Sequence, residues 1–207
     1  MTIADFLQFM FRLTVSNSTL LRDLPSLQRE LGPNKQMLIP YSREEVELLS
    51  MTQTNVKKKG GFTKLVTGMF DTIYFEHLLA FAMKTYSTGN KLILIASSED
   101  EFIYLRRNNT THVYINQREL GVLTPDDKLY NTRGQLLATI DGADHLPNHS
   151  VFIRDKNMGF VNNPKFRTTT TSRAFSLLSQ MNDEDTMIFL ALTLMNLVEE
   201  AQLSKKL

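Results

Sequence analysis

The last helix most constrains what this chain can fold into. From Asn182 to about Leu203 the pattern is helical, and its middle, Met187 to Val198, is apolar almost all the way round. Only Thr193 and Asn196 interrupt it, three residues apart and so on one narrow face. A helix that is apolar on every side is enclosed by protein or by lipid. The uncharged run from Thr186 to Val198 is too short for a bilayer, which takes ~20 apolar residues. Enclosure by protein follows, and the enclosing element has to come from the residues before it. Asn182 is a natural cap, and Asp183, Glu184 and Asp185 place carboxylates in the first turn, where the helix dipole favours them.

Those preceding residues change grammar at Lys57-Lys58-Lys59-Gly60-Gly61. Downstream, apolar and aromatic residues come in short runs parted by turn residues. The expected strands are Phe62–Thr67, Thr72–Phe75, Leu78–Thr85, Lys91–Ala96, Phe102–Arg106, His112–Ile115, Leu120–Leu123, Lys128–Tyr130, Gln135–Ile140, Val151–Arg154 and Met158–Val161, with a further one over Arg173–Leu178. Short strands at this even spacing suggest an antiparallel sandwich or barrel. A hairpin phrase also repeats. Val113–Leu123 aligns without gaps to Val151–Val161, and Leu129–Leu137 is a looser copy. Each copy reads as strand, polar turn with a basic residue, then a second strand. Gly121 and Gly159 fall at the same place, where a bulge or the close approach of another backbone is expected.

Hairpins of this form followed by an oily C-terminal helix resemble the tubby-like superfamily, which includes the tubby C-terminal domain, the phospholipid scramblases and the LURP-one-related proteins. The resemblance covers about Gly61 to Leu203 and rests on Val113–Leu123, Leu129–Ile140 and Val151–Val161. It implies an α+β, mainly β fold: a closed antiparallel barrel of about twelve strands around a buried C-terminal helix. It carries over no functional residue, and the fold by itself assigns no activity.

Ahead of the barrel the chain reads as helix. Ile3, Phe6, Leu7, Met10 and Leu13 recur at helical spacing, Ser16–Thr19 breaks the pattern, and a second helix should end at Leu31-Gly32-Pro33-Asn34. Ser42 and Glu45 form a capping box for a short helix from Arg43 to about Met51. The expected division is therefore a helical arm and linker over residues 1–56 and the barrel with its helix over residues 57–207. The 207 residues carry no cysteine and a formal net charge of +1. These exclude disulfides, thiolate metal sites and a cysteine nucleophile, and they disfavour nucleic acid as a partner. Asp5 and Arg12 interrupt the first apolar stretch, which does not read as a secretory leader. The expected location is cytoplasmic, with peripheral attachment to a membrane as a variant.

No catalytic residue, metal site or cofactor is assigned. Lys57, Lys58 and Lys59, with Lys64 nearby, are the candidate anion or lipid-headgroup site. A solvated linker is the plainer account, because three lysines fall short of the usual cluster. Phe6, Phe9, Met10 and Phe11 are the candidate partner surface, for the chain's own barrel, a second subunit or another protein. The enzymatic alternative is a hydrolase-type site in a barrel-end cleft. Glu76 and His77 lie side by side, but neighbours on a strand face opposite ways. His145 and His149 lie near Asp141 and Asp144, but Pro147 between the histidines prevents the helix that would align them. Thr168–Thr171, flanked by Arg167 and Arg173, suits an extended edge better than a phosphate cradle. The expected function is a non-enzymatic binding or scaffolding protein for an anionic lipid headgroup or a protein partner.

Overall fold

A computed structural model describes residues 21–203, apart from residues 41, 62, 144, 167–171 and 179. The chain is mainly β. Among the described residues two helices, α1 (Leu24–Lys35) and α2 (Arg43–Glu47), precede twelve strands, and α3 (Asp183–Leu203) follows them. The strands are β1 (Leu49–Lys59), β2 (Lys64–Thr72), β3 (His77–Thr85), β4 (Lys91–Ala96), β5 (Glu101–Arg107), β6 (Thr110–Ile115), β7 (Arg118–Leu123), β8 (Lys128–Asn131), β9 (Leu136–Asp141), β10 (Asn148–Ile153), β11 (Lys156–Asn162) and β12 (Phe175–Leu177). Each pairs antiparallel with the next in sequence, giving one meander in the order β1 to β12.

The sheet curls until its ends meet. A bridge joins Ser50 to Arg173, Met51 N–H donates to Ser172 O at 3.0 Å, and Ala174 N–H donates to Leu49 O at 2.7 Å. The contact is short, so the barrel is nearly closed rather than seamless. Inside runs α3. Ile188, Phe189, Leu190, Ala191, Leu192, Leu194, Met195, Leu197 and Val198 are buried and share one core with the inward residues of the wall, including Phe70, Phe81, Phe102, Tyr104 and Phe175. Each large apolar side chain contributes roughly 1.5–3 kcal/mol on burial, before the loss of chain entropy.

The polar interruptions of α3 are satisfied. The hydroxyl of Thr193 donates to Phe189 O at 2.9 Å within the helix, and Asn196 Nδ2 donates to Asp127 Oδ1 at 3.2 Å. Asn182 caps the helix, its Oδ1 accepting from Asp185 N–H at 2.8 Å. Arg154 meets Glu184 at 2.5 Å and Asp185 at 3.3 Å where the helix enters. At the exit Glu199 takes Arg106 at 2.7 Å and also Lys91.

A second core lies outside the wall. Leu24, Leu27 and Leu31 of α1 cover Ala80, Ala82, Leu92, Leu94, Ala96, Ile103 and Leu105. Strands β3 to β5 are thus buried on both faces, which accounts for their unbroken apolar runs in an antiparallel sheet.

The structure corrects three sequence expectations. Strand β1 begins at Leu49, so the wall starts before Lys57, and α2 ends at Glu47 rather than near Met51. The capping signal is local, whereas Leu49 and Met51 make the closing bonds of the barrel, and that pairing prevails. The expected strand Thr72–Phe75 is a turn beyond β2, closed by Phe75 N–H to Thr72 O at 3.0 Å with Phe75 at φ 65°. Helix α1 does not stop at Gly32-Pro33. It runs to Lys35, with Pro33 inside it, because Leu24, Leu27 and Leu31 hold it on the sheet. Gly121 and Gly159 meet their expectation: each sits beside a bulge in its own strand, and the backbone of the next strand approaches it. A Cβ at Gly121 would lie 1.8 Å from Tyr130 O, and one at Gly159 2.5 Å from Ser176 O.

Phe189→Ala should cost about 3–5 kcal/mol in urea unfolding, because it opens a cavity against Phe175, whose ring centre is 5.2 Å away. Gly121→Ala should abolish the two-state transition, whereas Gly32→Ala, with nothing within 4 Å of the new methyl, should stabilise by about 0.5–1 kcal/mol.

Candidate functional site

Strand alternation divides the four candidate lysines. Lys58 pairs with Val66, an inward residue, and Lys64 is two residues before Val66, so both take the inward register at one rim. Lys57 and Lys59 pair with Thr67 and Leu65 and take the outward register. There they meet α1. Arg29, Glu30, Pro33 and Asn34 of the helix and Lys57, Lys59, Leu65 and Thr67 of the sheet line a groove of about 360 Å³.

Its charge is uneven. Lys59 Nζ lies 2.7 Å from Glu30 Oε2 and 2.9 Å from Oε1. Arg29 and Lys57 have no partner among the described residues. Three cations against one carboxylate leave the lining at a net charge of +2. Beyond Met51, β1 has no second strand beside it among the described residues, and lysines on a free edge discourage pairing with another chain. Edge protection explains why Lys57–Lys59 stay exposed. It does not explain Arg29, which comes from a different element and faces them. The sequence carried no signal for Arg29, because α1 docks through tertiary contacts.

His77 finds an acid, but not Glu76. Its Nδ1 lies 2.7 Å from Asp71 Oδ1, across the β2–β3 hairpin, while Glu76 Oε2 accepts from Thr72 Oγ1 at 3.4 Å. Asp71 is buried and also accepts from the hydroxyl of Thr54 at 3.0 Å. Hydroxyl and imidazole therefore converge on the carboxylate. A nucleophile relay needs the hydroxyl on the imidazole, and this one is elsewhere. Ile39 N–H donates to His77 O at 2.9 Å, so the cluster ties the α1–α2 connection to the wall.

The two loop histidines separate. His145 is exposed, whereas His149 takes the inward register on β10, with its Nε2 buried and unpartnered. Its ring packs on Gly142, where a Cβ would lie 2.7 Å from His149 Cδ2. No group of three His, Asp or Glu among the described residues could hold a metal. Asp144, Arg167 and Thr168–Thr171 lie outside the described residues, as do Phe6, Phe9, Met10 and Phe11.

One carboxylate is perturbed at the helix exit. Burial raises the pKa of Asp127, opposed by the hydrogen bond from Asn196 and by the nearby His149 and Arg106.

No family model, curated protein or solved structure matches the chain. Among the described residues no helix is long and apolar enough to cross a membrane.

A folded-state pKa above the unfolded one means that Asp127 favours folding while protonated and loses that contribution as pH rises through the raised value. Asp127→Asn keeps the acceptor for Asn196 and should raise the melting temperature at pH 7. The gain should vanish below the unfolded carboxylate range, about pH 4.

Proposed function

We propose that the chain is a non-enzymatic binding protein of tubby-like kinship, and that the groove between α1 and β1–β2 receives a phosphate-bearing anion, the headgroup of a membrane lipid. The observation that carries this reading is the pairing of Arg29 with Lys57 across the groove, both without a partner among the described residues, beside a Lys59 already held by Glu30. Arg offers a planar fork to phosphate oxygens and Lys a point charge, and together they suit a phosphate better than either does alone. Near an anionic bilayer each basic side chain contributes about 1 kcal/mol, so two uncompensated ones support weak, salt-sensitive attachment. The kinship is supported by the order of elements, with a twelve-stranded meander ending in an enclosed helix. The non-enzymatic reading is supported by His77, whose acid partner Asp71 also accepts from the Thr54 hydroxyl, so that hydroxyl is bonded to the acid and not to the imidazole. The location that goes with this function is the cytoplasmic side of a membrane, as a peripheral protein.

Sedimentation with phosphatidylcholine vesicles, with and without phosphatidylserine, tests this directly. The protein should pellet only with the anionic vesicles and release as salt is raised. Arg29→Glu with Lys57→Glu should weaken binding by at least about tenfold, roughly 1.4 kcal/mol. Lys58→Glu with Lys64→Glu, outside the groove, should weaken it less. Equal loss in the two pairs would replace the groove with diffuse charge, and unchanged binding in both would reject the reading. Competition by soluble inositol hexakisphosphate without any vesicle binding would move the ligand from lipid to free phosphate.

A further inference from the structure

The barrel mouth where α3 enters is incompletely filled. Ile115 of β6, Leu120 of β7, Leu137 of β9 and Met187 of α3 are only partly buried, although all four pack against the main core. With Asp183 and Glu184 they line a cavity of about 450 Å³. The gap has a physical origin. The first turn of α3 carries three carboxylates, Asp183, Glu184 and Asp185, of which Asp183 and Glu184 stay exposed at the rim. The apolar wall at the mouth is therefore covered by the helix only from Met187 and Ile188 onward.

Cavities of this size, mostly apolar with a few polar groups at one end, are what small-molecule sites look like, and barrel mouths are a common place for them. The polar groups here are not equivalent. Glu184 is held by Arg154 at 2.5 Å, and Asn131 spends its amide on Gln135 at 2.9 Å. The carboxylate of Asp183 has no partner among the described residues. Arg118 begins β7 and Arg133 stands on the β8–β9 turn, both outside the lining. The helix dipole supplies only about half a positive charge at this end, less than the carboxylates it faces.

We propose that this mouth is a second binding site, for a small amphipathic ammonium ligand. Its alkyl or aryl body would lie on Ile115, Leu120, Leu137 and Met187, and its protonated amine would meet Asp183. The site shares no residue with the cationic groove, and it selects the opposite charge.

The test uses the full chain at neutral pH, with 1-aminoanthracene as a neutral fluorescent reporter and octylammonium, octanoate and octanol as competitors below their aggregation concentrations. Octylammonium should displace the reporter at about tenfold lower concentration than octanoate, with octanol between them. Asp183→Asn should erase that order and leave octanol unchanged. Leu137→Trp should block the reporter, and Met187→Trp fills the same space from the helix side should the first variant not fold. Inositol hexakisphosphate should not compete, which separates failure here from failure at the groove. Octanoate equal to or better than octylammonium, reporter binding that survives both tryptophans, or no reporter binding at all would overturn the proposal.

Discussion

Enclosure of the apolar cylinder of α3 is the constraint on which the rest of the structure depends. A helix without a polar face has no position at a surface, so the wall must go all the way round it. That requirement selects a curled meander over a flat sheet or a sandwich, since only a curled sheet gives every inward row the same partner. Phe70 and Phe81 of the paired strands β2 and β3, Phe102 of β5 and Phe175 of β12 share the core with α3, and Phe175 meets Phe189 edge to face. The two ends of the helix are fixed by charge instead. Arg154 holds the acidic start, while Lys91 and Arg106 hold Glu199 at the exit. Burial sets the axial helix in place, and ion pairs limit its slide along that axis.

Curling has a cost at the seam. Strand β12 has only three residues, and among the described residues closure rests on one bridge, made by two backbone bonds. The long remainder of β1 is left as an edge, and it bears features that protect edges: register shifts, Asn55 at φ 51°, and three consecutive lysines. Alongside that edge, α1 covers β3 to β5 and makes the wall there two-sided. The same helix brings Arg29 to the outward lysines. One packing event therefore both completes the outer core and assembles the cationic groove.

The groove and the entrance cavity arise where this packing stops. The groove is the margin of the α1–sheet interface, and the cavity is the margin of the α3–wall interface. Their lining follows the element that leaves each gap. Beside α1 the exposed partners are lysines on a strand edge. Beside the start of α3 they are carboxylates that serve the helix dipole.

Local pattern in the sequence determined the element types. The all-round apolar run marked α3 as enclosed, the paired phrases Val113–Leu123 and Val151–Val161 marked hairpins, and Gly121 and Gly159 marked close backbone approach. These were legible because each depends on residues near one another in the chain. Of the candidate site, only the lysines were legible, as a run with no direction. Tertiary structure decided which face each lysine takes, that Leu49–Lys59 is a strand, that α1 runs through Pro33, that His77 meets Asp71 and not Glu76, and that Arg29 completes the groove. Each of these depends on a partner that sequence spacing does not name, and pairing energy across the sheet outweighs the local propensities that argued otherwise.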